Sequence, residues 1–85
     1  MDLDLLEDVT IIPNPFSHSF IMELNEGYYD DLELKIFYSN GILFDQVLAS
    51  GNKIVYSNKN MHEGIYFYEL YNDGRKIHIG KLIRN

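Results

Sequence analysis

From Leu32 to Ile36 apolar and charged side chains alternate, so that Leu32, Leu34 and Ile36 fall on one face of an extended chain and Glu33 and Lys35 on the other. This period of two predicts a strand with one wet face, running on to Tyr38. Ser39-Asn40-Gly41 follows, and Asn-Gly predicts a type I′ hairpin turn because both residues tolerate positive φ. Ile42 to Ala49 is then the antiparallel return. Ser50-Gly51-Asn52 breaks the chain again before Lys53-Ile54-Val55-Tyr56, and Ser57 to Asn60 reads as a polar loop. The strongest strand signal is Gly64-Ile65-Tyr66-Phe67-Tyr68-Glu69-Leu70-Tyr71, turned by Asn72-Asp73-Gly74-Arg75 into Lys76 to Ile83.

Upstream, Ser17 to Leu24 is a strand with Phe20, Met22 and Leu24 on one face, and Thr10-Ile11-Ile12 is a short first strand. Pro13 ends that first strand, since proline has no N–H to give a ladder, and Pro15 biases Asn14 towards extended geometry. Phe16 or Phe20 supplies the first large apolar anchor. The sum is about seven short strands without a helix of convincing length, an all-β chain. Two packed sheets in an immunoglobulin-like antiparallel β-sandwich fit best, with a small barrel as the alternative. Gly64-x-Tyr66-x-Tyr68 keeps the register of the strand that carries the second cysteine of immunoglobulin domains, with Tyr68 in the cysteine's place. Tyr66 is thereby a candidate tyrosine corner, its hydroxyl bonded to backbone upstream.

With 85 residues the chain makes one domain with a thin core. The absence of cysteine removes a disulfide framework, a thiolate zinc site and a thiol nucleophile, so stability rests on packing and sheet hydrogen bonds. Thirteen acidic against seven basic residues, a net charge of −6, disfavour a nucleic-acid partner, which needs clustered cations. The charge is uneven: beyond Asp73 stand Arg75, Lys76, Lys81 and Arg84 and no acid. No run of about 18 apolar residues spans a membrane. Met1-Asp2-Leu3-Asp4 lacks the basic and apolar regions of a secretory signal, so an exported domain would take its export address from a longer parent protein. The acidic stretch Met1 to Val9 reads as a linker or N-terminal extension and residues 10–85 as the domain.

Catalytic chemistry has no seat here. His18, His62 and His78 lack a second ligand at a metal-binding spacing, the serines lack a nucleophile elbow, and Asp30-Asp31 reads as a solvated pair. We expect no enzyme, no metal and no cofactor. The seven tyrosines and five phenylalanines suggest a sugar-stacking platform, but Tyr66, Tyr68, Phe20 and Phe44 are needed to fill a small core. A carbohydrate-binding or adhesive accessory module is therefore the alternative function. The end of the chain stands apart: Gly80, Lys81, Leu82, Ile83, Arg84 and Asn85 combine a strand with two cations. Guards of an edge strand and a segment grasped by another protein both fit this pattern.

Taken together, "IIPNPF", the Asn-Gly hairpin, "EGIYFYEL" and "GRKIHIGKLIRN" resemble, over residues 10–85, the type A C-terminal sorting domain of the type IX (Por) secretion system of Bacteroidetes. Pro13, Asn14, Pro15 and Phe16 match that family's opening motif, Gly64, Tyr66 and Tyr68 its strong strand, and Gly80, Lys81, Leu82 and Ile83 its tail, with Gly41 and Gly74 at the hairpins. Arg84 stands where lysine is frequent, Tyr38 where the family often has aspartate, and Ile42 where a basic residue is frequent. The resemblance implies an immunoglobulin-like domain that directs an upstream cargo across the outer membrane to the cell surface or medium. It implies as partners the outer-membrane export machinery and a sortase-like peptidase that removes the domain, cutting in or before Met1 to Val9. The expected division of labour has residues 13–16 as a structural corner and Gly80 to Asn85 as the part read by the machinery, in a monomeric domain.

Overall fold

A computed structural model describes residues 9–25 and 27–85. The expected linker lies outside the described residues except for Val9, which joins the first strand. The described residues form seven strands: β1 (Val9–Ile12), β2 (Ser19–Leu24), β3 (Tyr29–Tyr38), β4 (Leu43–Gly51), β5 (Lys53–Ser57), β6 (Gly64–Asn72) and β7 (Arg75–Arg84). They form two antiparallel sheets, of order β1-β2-β5 and β4-β3-β6-β7, and the described residues contain no helix. The sandwich expectation holds and the barrel does not, because neither sheet closes on itself.

Alternation decides what meets between the sheets. Phe20, Met22 and Leu24 of β2 and Ile54 and Tyr56 of β5 face Leu32, Leu34 and Ile36 of β3 and Tyr66, Tyr68 and Leu70 of β6, all buried. Leu82 from β7 and Phe16 and Met61 from the connections complete this core. The chain changes sheet at Gly51: β4 is still paired with β3 at Tyr29↔Gly51, and two residues later Lys53 is paired with Glu23 of β2. The Asn52 carbonyl accepts the Leu24 N–H at 2.8 Å across that step.

The two hairpins use different turns. At the first, the Gly41 N–H donates to the Tyr38 carbonyl at 2.9 Å and the Tyr38 N–H to the Ile42 carbonyl at 2.8 Å. Only Gly41 has positive φ there (91°), while Asn40 does not. The expected type I′ turn is thus replaced by a three-residue loop whose glycine takes the left-handed position, and the Asn40 side chain instead accepts the Ile42 N–H. Tyr38 sits edge-on to Phe44 at 5.2 Å and beside Tyr66 at 5.9 Å, closing the end of the core with rings. At the second hairpin Asp73 (φ 53°) and Gly74 (φ 78°) both have positive φ, the requirement of a type I′ turn.

Candidate functional site

Among the described residues β7 is an edge strand, with β6 on one side and no further strand on the other. Such an edge offers free amides and carbonyls to any other strand. Residues 13–16 cover its C-terminal part. Asn14 turns its side-chain amide onto the tail: Oδ1 accepts the Ile83 N–H at 3.1 Å and Nδ2 donates to the Lys81 carbonyl at 3.2 Å. One carboxamide therefore does the work of a peptide unit in a neighbouring strand. Phe16 continues the pairing with its own backbone, its N–H donating to the Ile83 carbonyl at 2.9 Å and its carbonyl accepting the Asn85 N–H at 2.8 Å. Its ring is buried and packs edge-on against Phe20 with centroids 5.0 Å apart. Pro13 and Pro15, both preceded by cis peptide bonds, flank Asn14. The corner and the tail, expected to act separately, are one assembly.

Within the tail the side chains divide. Gly80 and Leu82 face inward, Leu82 with no exposed surface, whereas Ile79 and Lys81 point to solvent; Ile83 and Arg84 are half-buried and Asn85 is exposed. Gly80 lies opposite Tyr68, whose ring occupies the space a side chain would need. A Cβ at Gly80 would stand 2.5 Å from the Tyr68 hydroxyl oxygen and 2.6 Å from its Cζ. The ring cannot easily yield, because it is buried and shares a 3.0 Å hydrogen bond between its hydroxyl and His78 Nε2. Gly80→Ala is accordingly expected to cost about 1–3 kcal/mol of stability through overpacking, read as a lowered denaturation midpoint in urea. A midpoint unchanged from the parent chain would mean that Tyr68 has room to move.

Tyr66 makes the predicted tyrosine corner, donating its hydroxyl proton to the His62 carbonyl at 2.7 Å. Gly64 opens the same strand and is paired with Arg84 near the end of the tail. Across the sheets the Tyr56 hydroxyl donates to Asp45 at 2.8 Å, and Asn58 Nδ2 donates to the same carboxylate oxygen at 3.2 Å. Burial pushes the Tyr68 hydroxyl from near 10 up to about 12 and raises Tyr66 and Tyr56 as well, with the Asp45 hydrogen bond adding to the effect at Tyr56. The folded chain thus keeps these protons where the unfolded chain, ionising near pH 10, has lost them. The stability they contribute is full below about pH 10 and is lost as pH rises towards 12. Urea midpoints measured at pH 9, 10 and 11 should fall along that series; a flat series would contradict the burial of these hydroxyls.

The outer face of the β4-β3-β6-β7 sheet has two halves. Towards the Asp73-Gly74 turn it is ionic: Tyr71 donates to Glu69 at 2.6 Å, Lys76 pairs with Glu69 at 3.3 Å, and Lys35 lies 4.8 Å from the Tyr71 ring centre. The Tyr71 hydrogen bond, with help from Lys76, lowers the Glu69 pKa. Towards the tail it is apolar. Leu43 lies opposite Phe37, Phe37 opposite Phe67, Phe67 opposite Lys81, and Ile65 opposite Ile83. Leu43, Ile65, Phe67 and Ile79 are each between 44% and 51% exposed, which makes an apolar surface around Lys81 rather than scattered single residues. Sequence reasoning named Lys81 and Ile83 but not their neighbours Phe37, Ile65 and Phe67. The available signal was apolar residues at both parities of β6, where a one-sided strand would alternate with polar ones.

Five of the twelve aromatic rings, Phe16, Phe20, Tyr56, Tyr66 and Tyr68, are buried and Tyr29 and Phe44 pack against the core, whereas Tyr28 is 75%, Phe67 44% and Tyr38 40% exposed. Among the described residues no three His, Asp or Glu side chains are grouped to hold a metal ion. The family described as the secretion system C-terminal sorting domain has a model that matches residues 10–85. No curated protein matches the chain.

Proposed function

Since the chain belongs to the secretion system C-terminal sorting domain family, we propose that residues 10–85 direct an upstream cargo through the outer membrane by the type IX secretion machinery, which reads the outward face of β7. The observation that carries this reading is the division of the tail. Its inward residues, Gly80 and Leu82, are used up by the fold, while Ile79 and Lys81 are presented to solvent on a strand held rigid by Asn14 and Phe16. A recognition surface needs apolar contact area with a few polar anchors. Lys81, set among Ile79, Ile83, Phe67 and Ile65, meets that need, with Arg84 and Asn85 beyond it. Gly80 and Leu82 act as positioning residues that hold this surface in place.

In this reading the domain is not itself catalytic. A sortase-like peptidase of the export apparatus removes it in or before residues 1–9 as the cargo passes through the periplasm to the cell surface or medium. The test is a passenger with its own periplasmic signal fused upstream of residues 1–85 in a type IX-competent cell. The passenger is expected outside the outer membrane, shortened by the mass of the domain. Accumulation of the intact fusion in the periplasm would overturn the proposal.

A further inference from the structure

The backbone pairings at one end of the sandwich gather cations that are far apart in sequence. Ser19 pairs with Ser57, which sets Ser17 and His18 beside the loop that carries Asn58 and Lys59. The bridge between Phe16 and Arg84 brings the end of β7 to the same place. Ser17, His18, Ser57, Asn58, Lys59 and Arg84 line a cleft of about 400 Å³. This volume lies at the lower end of small-molecule sites, roughly 300–1,000 Å³. Among the described residues no carboxylate side chain lines the cleft, although the chain carries a net charge of −6.

The donors of this cleft are available. Asn58 is committed, its Nδ2 to Asp45 and Tyr56 and its Oδ1 to the Asn60 N–H. Asp45, the carboxylate behind it, already accepts from the Gln46 N–H, Tyr56 and Asn58. Lys59, His18, Ser17 and Ser57 make no side-chain hydrogen bond or ion pair among the described residues. Arg84 spends one guanidinium N–H on the Asn85 main-chain oxygen and keeps the others.

We propose that this cleft binds a tetrahedral oxyanion, a phosphate or sulfate group, between His18, Lys59 and Arg84. The donors come from three separate elements that line the space, an arrangement suited to an anion whose oxygens can take hydrogen bonds from more than one direction. The bound group ties the start of β2, the loop after β5 and the tail together. It therefore stabilises the clamped state of β7 by binding the folded chain alone.

The probes are inorganic phosphate, as the free ion, and glycerol 3-phosphate, as the same group carried on an ester, each titrated at constant ionic strength against amide NMR spectra and thermal melting. Saturable shifts centred on residues 17–18, 57–59 and 84, with a raised melting temperature, are expected from phosphate. Equal binding of the ester assigns the cleft to a pendant phosphate, and binding of phosphate alone assigns it to the free ion; both support the site. Lys59→Ala is expected to weaken binding by about tenfold, as for a lost charged hydrogen bond, and His18→Gln to weaken it less. Shifts spread equally over Lys35, Lys76 and Arg75, the same affinity in Lys59→Ala, or no saturation by either probe would overturn the proposal.

Discussion

A chain ended after Ile79 is expected not to fold. Removing Gly80 to Asn85 takes away Leu82, fully buried, and uncovers Phe16, Tyr66 and Tyr68, which now have no exposed surface to speak of. Loss of a buried leucine side chain alone costs about 2–5 kcal/mol. The four hydrogen bonds joining Asn14 and Phe16 to Lys81, Ile83 and Asn85 go with it, at about 0.5–1.5 kcal/mol each. Against a total stability of about 5–15 kcal/mol for a domain, that sum leaves little or nothing. Collapse of amide NMR dispersion in the shortened chain is the expected result, and a cooperative thermal transition near that of the parent would contradict it. Failure of export by a tail deletion therefore cannot by itself mark the tail as the recognised element, because the deletion removes the fold as well.

Phe16→Ala is expected to lower the free energy of unfolding by about 3–5 kcal/mol, the usual range for deleting a buried aromatic ring. The ring is 2% exposed and lies against Phe20, which in turn stacks near Tyr56 at 5.2 Å. The cavity therefore opens at the point where the corner meets the core. Because Phe16 bonds to the tail through its backbone, the alanine chain keeps those donors and acceptors but holds them less firmly. The loss should appear in urea unfolding and, under native conditions, as faster hydrogen exchange at Ile83 and Asn85. An unfolding free energy within about 1 kcal/mol of the parent would show that the pocket refills by collapse.

Much of the fold could be read from alternation. Leu32, Leu34 and Ile36 fell on the buried face, as did Phe20, Met22 and Leu24, since each strand carries its burial in its own sequence. β7 is less transparent. Strict alternation would put Ile77, Ile79 and Ile83 on one face, yet Ile77 is buried and Ile79 is 51% exposed. A bulge explains this: Leu70 pairs with His78 and Tyr71 with Lys76, so Ile77 is the extra residue and the faces exchange there. The first turn departs from its local signal for a related reason. Asn-Gly permits type I′ geometry, but the pairing of Tyr38 with Ile42 makes the loop three residues long.

The candidate site was legible only in pieces. Gly80 read as part of a recognised tail, and its need for Tyr68 overhead became visible only once β6 and β7 were paired. Asn14 read as part of a corner that Pro15 holds extended, and its bonds to the tail were not visible because its partners, Lys81 and Ile83, lie 67 and 69 residues away. The convergence of His18, Lys59 and Arg84 is likewise a product of two backbone pairings rather than of any local motif.

The central claim is that the machinery reads the outward side chains of a clamped last strand. The most direct test compares export of the passenger fused to the parent domain with export of the same fusion carrying Ile79→Ser and Lys81→Glu. Both positions are exposed, so the stability of the isolated domain should change by no more than about 0.5 kcal/mol for each. With the melting temperature preserved, export is expected to fall by about tenfold or more, as for loss of central contacts in an interface. Export at the parental level by this folded variant would contradict the claim.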